Sequence, residues 1–416
     1  MHSFTAIGID VSKGKSTIAG MRQGGEVVIA PYDVGHSAAE LAKLVRKLLL
    51  LDGEARIVME YTGVYYLPIA QTLSDAGFFV SVVHAKLIHD FGNNTIRPGK
   101  TDKKDAVKIA NYALANWADL PLYCKQDDIR YQLKSLNRQV HIYTKYETAL
   151  KNNLIALLEG TFPGLNKLFS PETRANGHEK WIDFATRFWH RDCVCYLSRK
   201  GFSESYRRWC KRTGSHWNAD KANEIYDYAR VQITFTPKNL VSKLIITQAT
   251  AQLNTLLETI HTIQKEMASL AKLLPEYETV HSMRGVGEIL GPQLIAEIGD
   301  VTRFHSKRAL TAFAGLDSPP YQSGQYESKE RRISKRGSPH LRRALFQVVS
   351  VLMLNQPAND EVYQFLCKKR TEGKHYYVYM TAAANKFLRR YYGQVRVCMF
   401  DHRGQAEPVS GPDPAA

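Results

Sequence analysis

No apolar run in this chain reaches the roughly 20 residues that a membrane-spanning helix needs. The longest, such as FQVVSVLML at 346–354, stop well short, and no secretory signal pattern precedes Asp10. The reading is a cytosolic protein with no membrane partner. Cysteine is scarce as well: Cys124, Cys193, Cys195, Cys210, Cys367 and Cys398 are the only six in 416 residues, too sparse for a disulfide scaffold and in keeping with reduced thiols. Acid is in deficit, with 40 Asp and Glu against 56 Lys and Arg. The resulting net charge of +16 points to a polyanionic partner, most simply nucleic acid.

Among the few acids, four stand out. Asp10 ends the apolar run FTAIGI and Glu60 ends ARIVM, each reading as a buried strand that terminates in a carboxylate. From Thr101 onward Val107, Ala110, Ala113, Leu114 and Trp117 fall at helical spacing, so Asp102 and Asp105 share one face of a first turn. Taken singly, Asp10 reads equally well as a turn cap and Asp102 as a helix N-cap. Brought together, four carboxylates would repel unless cations were present, and two divalent metals would cancel their charge. Oxygen-only ligands favour Mg²⁺ or Mn²⁺ over zinc.

Residues 1–122 read as an α/β unit. Strands FTAIGID, STIAGMR and EVVIAPY form an antiparallel meander around the Gly24-Gly25 turn. A helix over Ala38–Leu51, a strand over Arg56–Glu60, a helix from about Tyr65 to Ala76, the strand FFVSVV and the helix of Asp102 and Asp105 complete an RNase H-like order. The opening GIDVSKGK is also how actin-like sugar kinases begin, but the further glycine-rich phosphate loops they need are missing.

Residues 123–274 carry two heptad-like seams, Ile129 to Leu157 and Ile246 to Leu274, expected to pair within one chain or to form a coiled coil between chains as a dimerisation arm. Between them, 160–240 is an aromatic-rich insert. Its Cys193, Cys195, Cys210, His178 and His190 lack zinc-knuckle spacing and read as buried thiols and packing histidines.

Residues 275–400 read as mainly helical. Gly285 and Gly287 open a helix in the manner of a helix-hairpin-helix element, whose free amides face phosphate. Downstream, Lys329, Arg331, Arg332, Lys335, Arg336, Arg342 and Arg343 form a cluster suited to nucleic-acid phosphates. Ser323, in a Ser-Gly loop beside them, is either a turn residue or a nucleophile whose alkoxide the cations favour. Tyr376, Tyr377 and Tyr379 are expected in the core or an interface rather than as base-stacking platforms, and the tail 401–416 is expected to be disordered.

Taken in order, GIDVSKGK, MEYTGVYY, KTDKKDA, MRGVGE, FAGLDSPPYQSG and SKRGSPHLRRAL make the chain resemble the DEDD transposases of insertion sequences, the bridge-RNA-guided recombinases. The resemblance covers nearly the whole chain. It implies a RuvC-like N-terminal domain, a coiled-coil middle and a helical transposase domain. It implies that Asp10, Glu60, Asp102 and Asp105 bind divalent metal, and that Ser323 attacks DNA to form a transient phosphoserine link. Ser328, Ser334 and Ser338 are rivals for that role; Ser323 is preferred because its loop directly follows the FAGL helix end. The resemblance further implies donor and target DNA read by a structured noncoding bridge RNA, and dimers paired into a tetramer in a prokaryotic, nucleoid-associated setting. The competing readings are a RuvC-like junction endonuclease, with water as the nucleophile, and a non-catalytic nucleic-acid-binding protein.

Overall fold

The computed structural model describes residues 4–406 except 62, 92–100, 124–126, 171–173, 175–176, 320–321, 324–325 and 328–331. Two compact units divide the chain, Met1–Lys125 and Gln126–Ala416.

The first unit is built on strands β1 (Phe4–Ser12), β2 (Lys15–Arg22), β3 (Val27–Gly35), β4 (Glu54–Glu60) and β5 (Phe79–Val83). Their order in the sheet is β3-β2-β1-β4-β5. β1, β2 and β3 pair antiparallel, whereas β1 with β4 and β4 with β5 pair parallel. This is the arrangement expected of an RNase H-like sheet, and the parallel half requires helical crossovers. α1 (Ala38–Leu49) and α2 (Leu67–Asp75) supply them. After β5 come α3 (Ala85–Phe91), a short helix that the sequence pattern does not announce, and α4 (Asp102–Ala115).

Strand alternation sorts the sheet into two faces. Ile7, Ile9 and Val11 of β1 and Ile57 and Met59 of β4 join Leu41, Leu44 and Leu48 of α1 and Ile69 and Leu73 of α2 in one core. Ala6 and Val58, on the opposite face, join Ile109, Ala110 and Ala113 of α4. Gly8 shares that second face. A Cβ on Gly8 would overlap the Ala106 carbonyl oxygen and the Ala110 amide nitrogen, so α4 rests backbone against backbone on β1.

In the second unit the two seams lie on α5 (Asp128–Thr161) and α10 (Leu240–Ala271), which pack along each other in the same chain. They run antiparallel. Leu133 and Val140 near the start of α5 share a core with Met267 and Ala271, while Leu154 and Leu158 near its end share one with Ile246 and Leu253.

Between these helices lie α6 (Lys180–Arg187), α7 (Asp192–Cys195), α8 (Arg199–Thr213) and α9 (Ala219–Val231). Trp181, Phe184, Phe188, Phe202, Tyr206 and Trp209 are buried there, as is Cys210, and burial pushes the Tyr206 hydroxyl and the Cys210 thiol to higher pKa. The insert closes at its neck, where the Gly160 carbonyl accepts from the Phe235 amide at 3.2 Å and from the Thr236 amide at 3.0 Å.

The chain continues through α11 (Tyr277–His281), α12 (Leu290–Ile298), α13 (Lys307–Phe313), the two-residue strands β6 (Gln322–Ser323) and β7 (Tyr326–Glu327), α14 (Pro339–Asn355), α15 (Glu361–Thr371) and α16 (Tyr376–Ala406). These helices share their core with the near ends of α5 and α10. Tyr379 is buried in it, whereas Tyr376 and Tyr377 are exposed, so of the three only Tyr379 takes the core place. α16 runs through Ala406, six residues into the expected tail, and 407–416 lie outside the described residues. Among the described residues no helix is long and apolar enough to cross a membrane.

Candidate active site

β1 and β4 run in parallel register with Gly8 opposite Val58, so two residues on Asp10 and Glu60 come to the same level on adjacent strands. Both side chains are on the face that α4 covers, because each is two residues beyond a residue of that face. α4 runs opposite to β1: Ala106 and Ala110 lie over Gly8, and Ala110 and Ala113 share a core with Ala6. The first turn of α4, with Asp102 and Asp105, therefore points towards the end of β1 where Asp10 stands. Thr101 is the N-cap, its hydroxyl accepting from the Lys104 amide at 3.3 Å. Asp102 is thus the first helical residue, exposed and not consumed by capping, and Asp105 is half-buried.

The row extends across the sheet. Thr17 pairs with Asp10 on one side and with Asp33 on the other. The Thr17 hydroxyl donates to Asp33 Oδ1 at 2.7 Å, and Lys15 Nζ lies 3.1 Å from Asp33 Oδ2. The Thr17 hydrogen bond first, then that from Lys15, hold the Asp33 carboxyl below the usual carboxylate range, with a smaller contribution from the charge of Lys103. Asp102 in turn helps to raise the Lys15 pKa, behind the larger effect of Asp33. Charges at the start of α4 are therefore felt at this end of the sheet. Asp33 is invisible to sequence reasoning, since VVIAPYDVG shows it only as one polar residue of a strand.

Register gathers the acids at one end of the sheet without closing them on a point. Among the described residues, no three His, Cys, Asp or Glu side chains are grouped to hold a metal ion. The donor set itself, carboxylate oxygens with no thiolate or imidazole, suits a hard divalent cation.

In the second unit, Ser323 forms a two-residue antiparallel ladder, paired with Tyr326. The segment carrying it is clamped where it leaves and re-enters the helices. The Ser334 amide donates to the Asp317 carbonyl at 2.8 Å, the Lys335 amide to Gly315 at 3.1 Å and the Ser338 amide to Phe313 at 2.7 Å. Two rival serines are committed to this frame. Ser334 donates its hydroxyl to the Asp317 carboxylate, and Ser338 caps α14, its hydroxyl also donating to Glu297 Oε2 at 3.1 Å. Glu297 is buried and takes further hydrogen bonds from Asn137 at 2.7 Å and Arg138 at 2.9 Å. Ser328, Lys329 and Arg331 lie outside the described residues.

The remaining cations divide. Arg332, Lys335, Arg336 and Arg343 are exposed, and Arg343 Nη1 contacts His141 Nδ1 at 2.5 Å. Arg342 is half-buried, donates to the Ala314 carbonyl at 2.9 Å, and has its pKa lowered by burial. Its guanidinium holds the turn rather than facing solvent. The two glycines also part ways. Gly285 takes a positive φ, and a Cβ there would meet Leu352 Cγ at 2.8 Å and the Val348 carbonyl at 3.0 Å, so it is needed for packing against α14. Gly287 is exposed, with open space around it.

Residues 7–163 match the DEDD model of IS110, described as a transposase, and residues 277–364 match the model of the transposase IS116/IS110/IS902 family. The chain belongs to the IS110 family of transposases. The first model takes in Asp10, Glu60, Asp102 and Asp105, and the second takes in Gly285, Gly287, Ser323 and the basic cluster. This IS110-family chain is 22% identical to the insertion element IS110 uncharacterized 43.6 kDa protein of Streptomyces coelicolor over 88% of each chain. It is 34% identical over 96 residues to the transposase for insertion sequence element IS1111A of Coxiella burnetii, covering 23% of this chain and 26% of that protein. T. thermophilus RuvC, solved in complex with Holliday junction substrate, overlaps 29% of this chain and 99% of its own at 13% identity and a TM-score of 0.20, too low to bear on the fold. As an IS110-family transposase the protein is a DNA transposase and recombinase.

Proposed function

We propose that this transposase cuts and exchanges DNA strands at a divalent-metal site formed by Asp10, Glu60, Asp102 and Asp105, with Ser323 as the nucleophile. One observation carries the metal reading: the β1–β4 register and the close seat of α4 on Gly8 direct two strand-end carboxylates and a helix's first turn to the same end of the sheet. A bound Mg²⁺ or Mn²⁺ pair would neutralise the phosphate charge that builds during strand transfer. Asp10 and Glu60 would hold it from the rigid sheet, Asp102 and Asp105 from the helix.

The Ser323 hydroxyl would form a bond to phosphorus as a DNA phosphorus–oxygen bond breaks, its proton passing to the departing strand's oxygen. A hydroxyl on the incoming strand would reverse the exchange and free the serine. The structural duties of Ser334 and Ser338 favour Ser323 over those two rivals. Base pairing with a bridge RNA would read the donor and target sequences, with dimers paired into a tetramer on the DNA. The +16 charge suits both nucleic acids. The open backbone at Gly287 and the exposed Arg332, Lys335, Arg336 and Arg343 would bind phosphates, as a helix-hairpin-helix turn and a basic surface do.

Trapping a protein–DNA adduct tests the nucleophile. Denaturing gels of wild-type protein on a DNA substrate are expected to show a covalent species that vanishes in Ser323→Ala. Cleavage that persists in Ser323→Ala without any adduct would establish water as the nucleophile and the junction-endonuclease reading. Sequencing the RNA that co-purifies tests guidance, and full recombination by RNA-free protein would refute it.

A further inference from the structure

The turn joining α15 to α16 presents aromatic rings and positive charge side by side. Tyr376 is 44% exposed and Tyr377 66% exposed, and neither contributes to the core that begins at Tyr379. Their rings are nonetheless held. Tyr376 meets the buried Tyr379 edge-on at 5.4 Å between centroids, and Tyr377 stands at 81° to Tyr376 at 5.2 Å. Lys368 and Arg370 at the end of α15 and Lys374 in the turn are exposed. Glu372, the acid of this turn, is occupied by Lys369 at 2.7 Å. With Glu372 paired to Lys369, the charge left open on this turn is positive, beside two adjacent exposed aromatics.

We propose that this turn is a docking platform for unpaired DNA, separate from the acidic site. Bases stack on the exposed parts of Tyr376 and Tyr377, the second ring already flanked by His375 at 5.9 Å, while Lys368, Arg370 and Lys374 meet the phosphates. Duplex DNA cannot use the rings because its bases are stacked on one another. Single-stranded DNA fits both features of the surface, and on the base-pairing readout proposed above a DNA strand has to leave its duplex partner. The platform is independent of the metal and of Ser323.

Fluorescence anisotropy on the full-length protein in EDTA tests it, so that binding is read without chemistry. The probes are a labelled oligo-dT of about 20 nucleotides, an oligo-U of the same length and a duplex. Y376A/Y377A is expected to weaken oligo-dT binding at least about 10-fold, the loss expected for forfeiting a stacked base, while duplex binding changes less than twofold. Y376F/Y377F, which keeps the rings, is expected to bind like wild type. The proposal is overturned if the alanine variant binds oligo-dT normally, if duplex binding falls equally, or if the effect appears only with oligo-U. A measurement on the unsubstituted protein guards against misfolding: photo-cross-linking of a bromodeoxyuridine strand is expected to label the tryptic peptide 375–386. Labelling confined to other peptides would refute the platform.

Discussion

Gly8 and Ala106 meet so closely that no side chain fits between β1 and α4. What a Cβ at Gly8 would strike is helix backbone, which cannot move aside as a flexible side chain would. Gly8→Ala is therefore expected to push α4 off the sheet, at a stability loss of about 1–3 kcal/mol, and to carry Asp102 and Asp105 away from the end of β1. Thermal unfolding and strand cleavage should fall together. An unchanged melting temperature with full activity would refute the backbone contact.

Asp10→Asn and Glu60→Gln are each expected to lower cleavage by at least about 100-fold, as when a group stabilising the transition state is lost. Asp33→Asn makes the contrast. Its carboxylate is already engaged by Thr17 and Lys15, so cleavage should fall less than tenfold. Equal losses at Asp33 and Asp10 would contradict this division.

The pH dependence of Asp33 has a definite sign. Its folded pKa is depressed, chiefly by the Thr17 hydroxyl, so its contribution to stability is complete above the unfolded carboxylate value near 3.9 and is lost as pH falls through the folded value. The side chain is half exposed, which limits the effect to about 1 kcal/mol or less. Thr17→Val should move the Asp33 titration upward when it is followed by carboxyl NMR. No movement would show that Lys15 alone holds it.

Arg342 and its neighbours should respond differently to alanine. Arg342→Ala removes the donor to the Ala314 carbonyl and is expected to cost about 1–2 kcal/mol of stability, with little change in the salt dependence of DNA binding. Lys335→Ala and Arg336→Ala should leave unfolding unaltered and reduce the slope of log K against log salt by about 0.9 for each phosphate that is no longer neutralised. The reverse pattern would mean that Arg342, not the exposed pair, reaches DNA.

Glu297 ties three elements through Asn137, Arg138 and Ser338. Glu297→Ala strands those partners around a buried gap and should cost about 2–4 kcal/mol in denaturant unfolding. A change below about 0.5 kcal/mol, within the ordinary range for surface substitutions, would show that the network adds nothing.

The sheet and its acids were legible because apolar runs ending in Asp10 and Glu60 mark strand ends, and the spacing after Thr101 marks a helix. Asp33 was not, because only strand register brings it into line with Thr17. α3 escaped because seven residues are too few to display a helical period. The seams on α5 and α10 announced that they would be buried but not by what, since a heptad pattern is the same for a partner in one chain or in two. Tyr376 and Tyr377 lie outside the core that Tyr379 joins for a related reason: helical spacing counts every aromatic as apolar, and the first turn of a helix can project beyond the core that the rest of it joins.

The hydrogen bonds from Phe235 and Thr236 to Gly160 give the aromatic insert a cinched waist. The described part of 161–235 leaves and re-enters the long helices at that one neck. A lineage could therefore swap this stretch for a short turn, or acquire a different one, without rethreading the long helices beneath it.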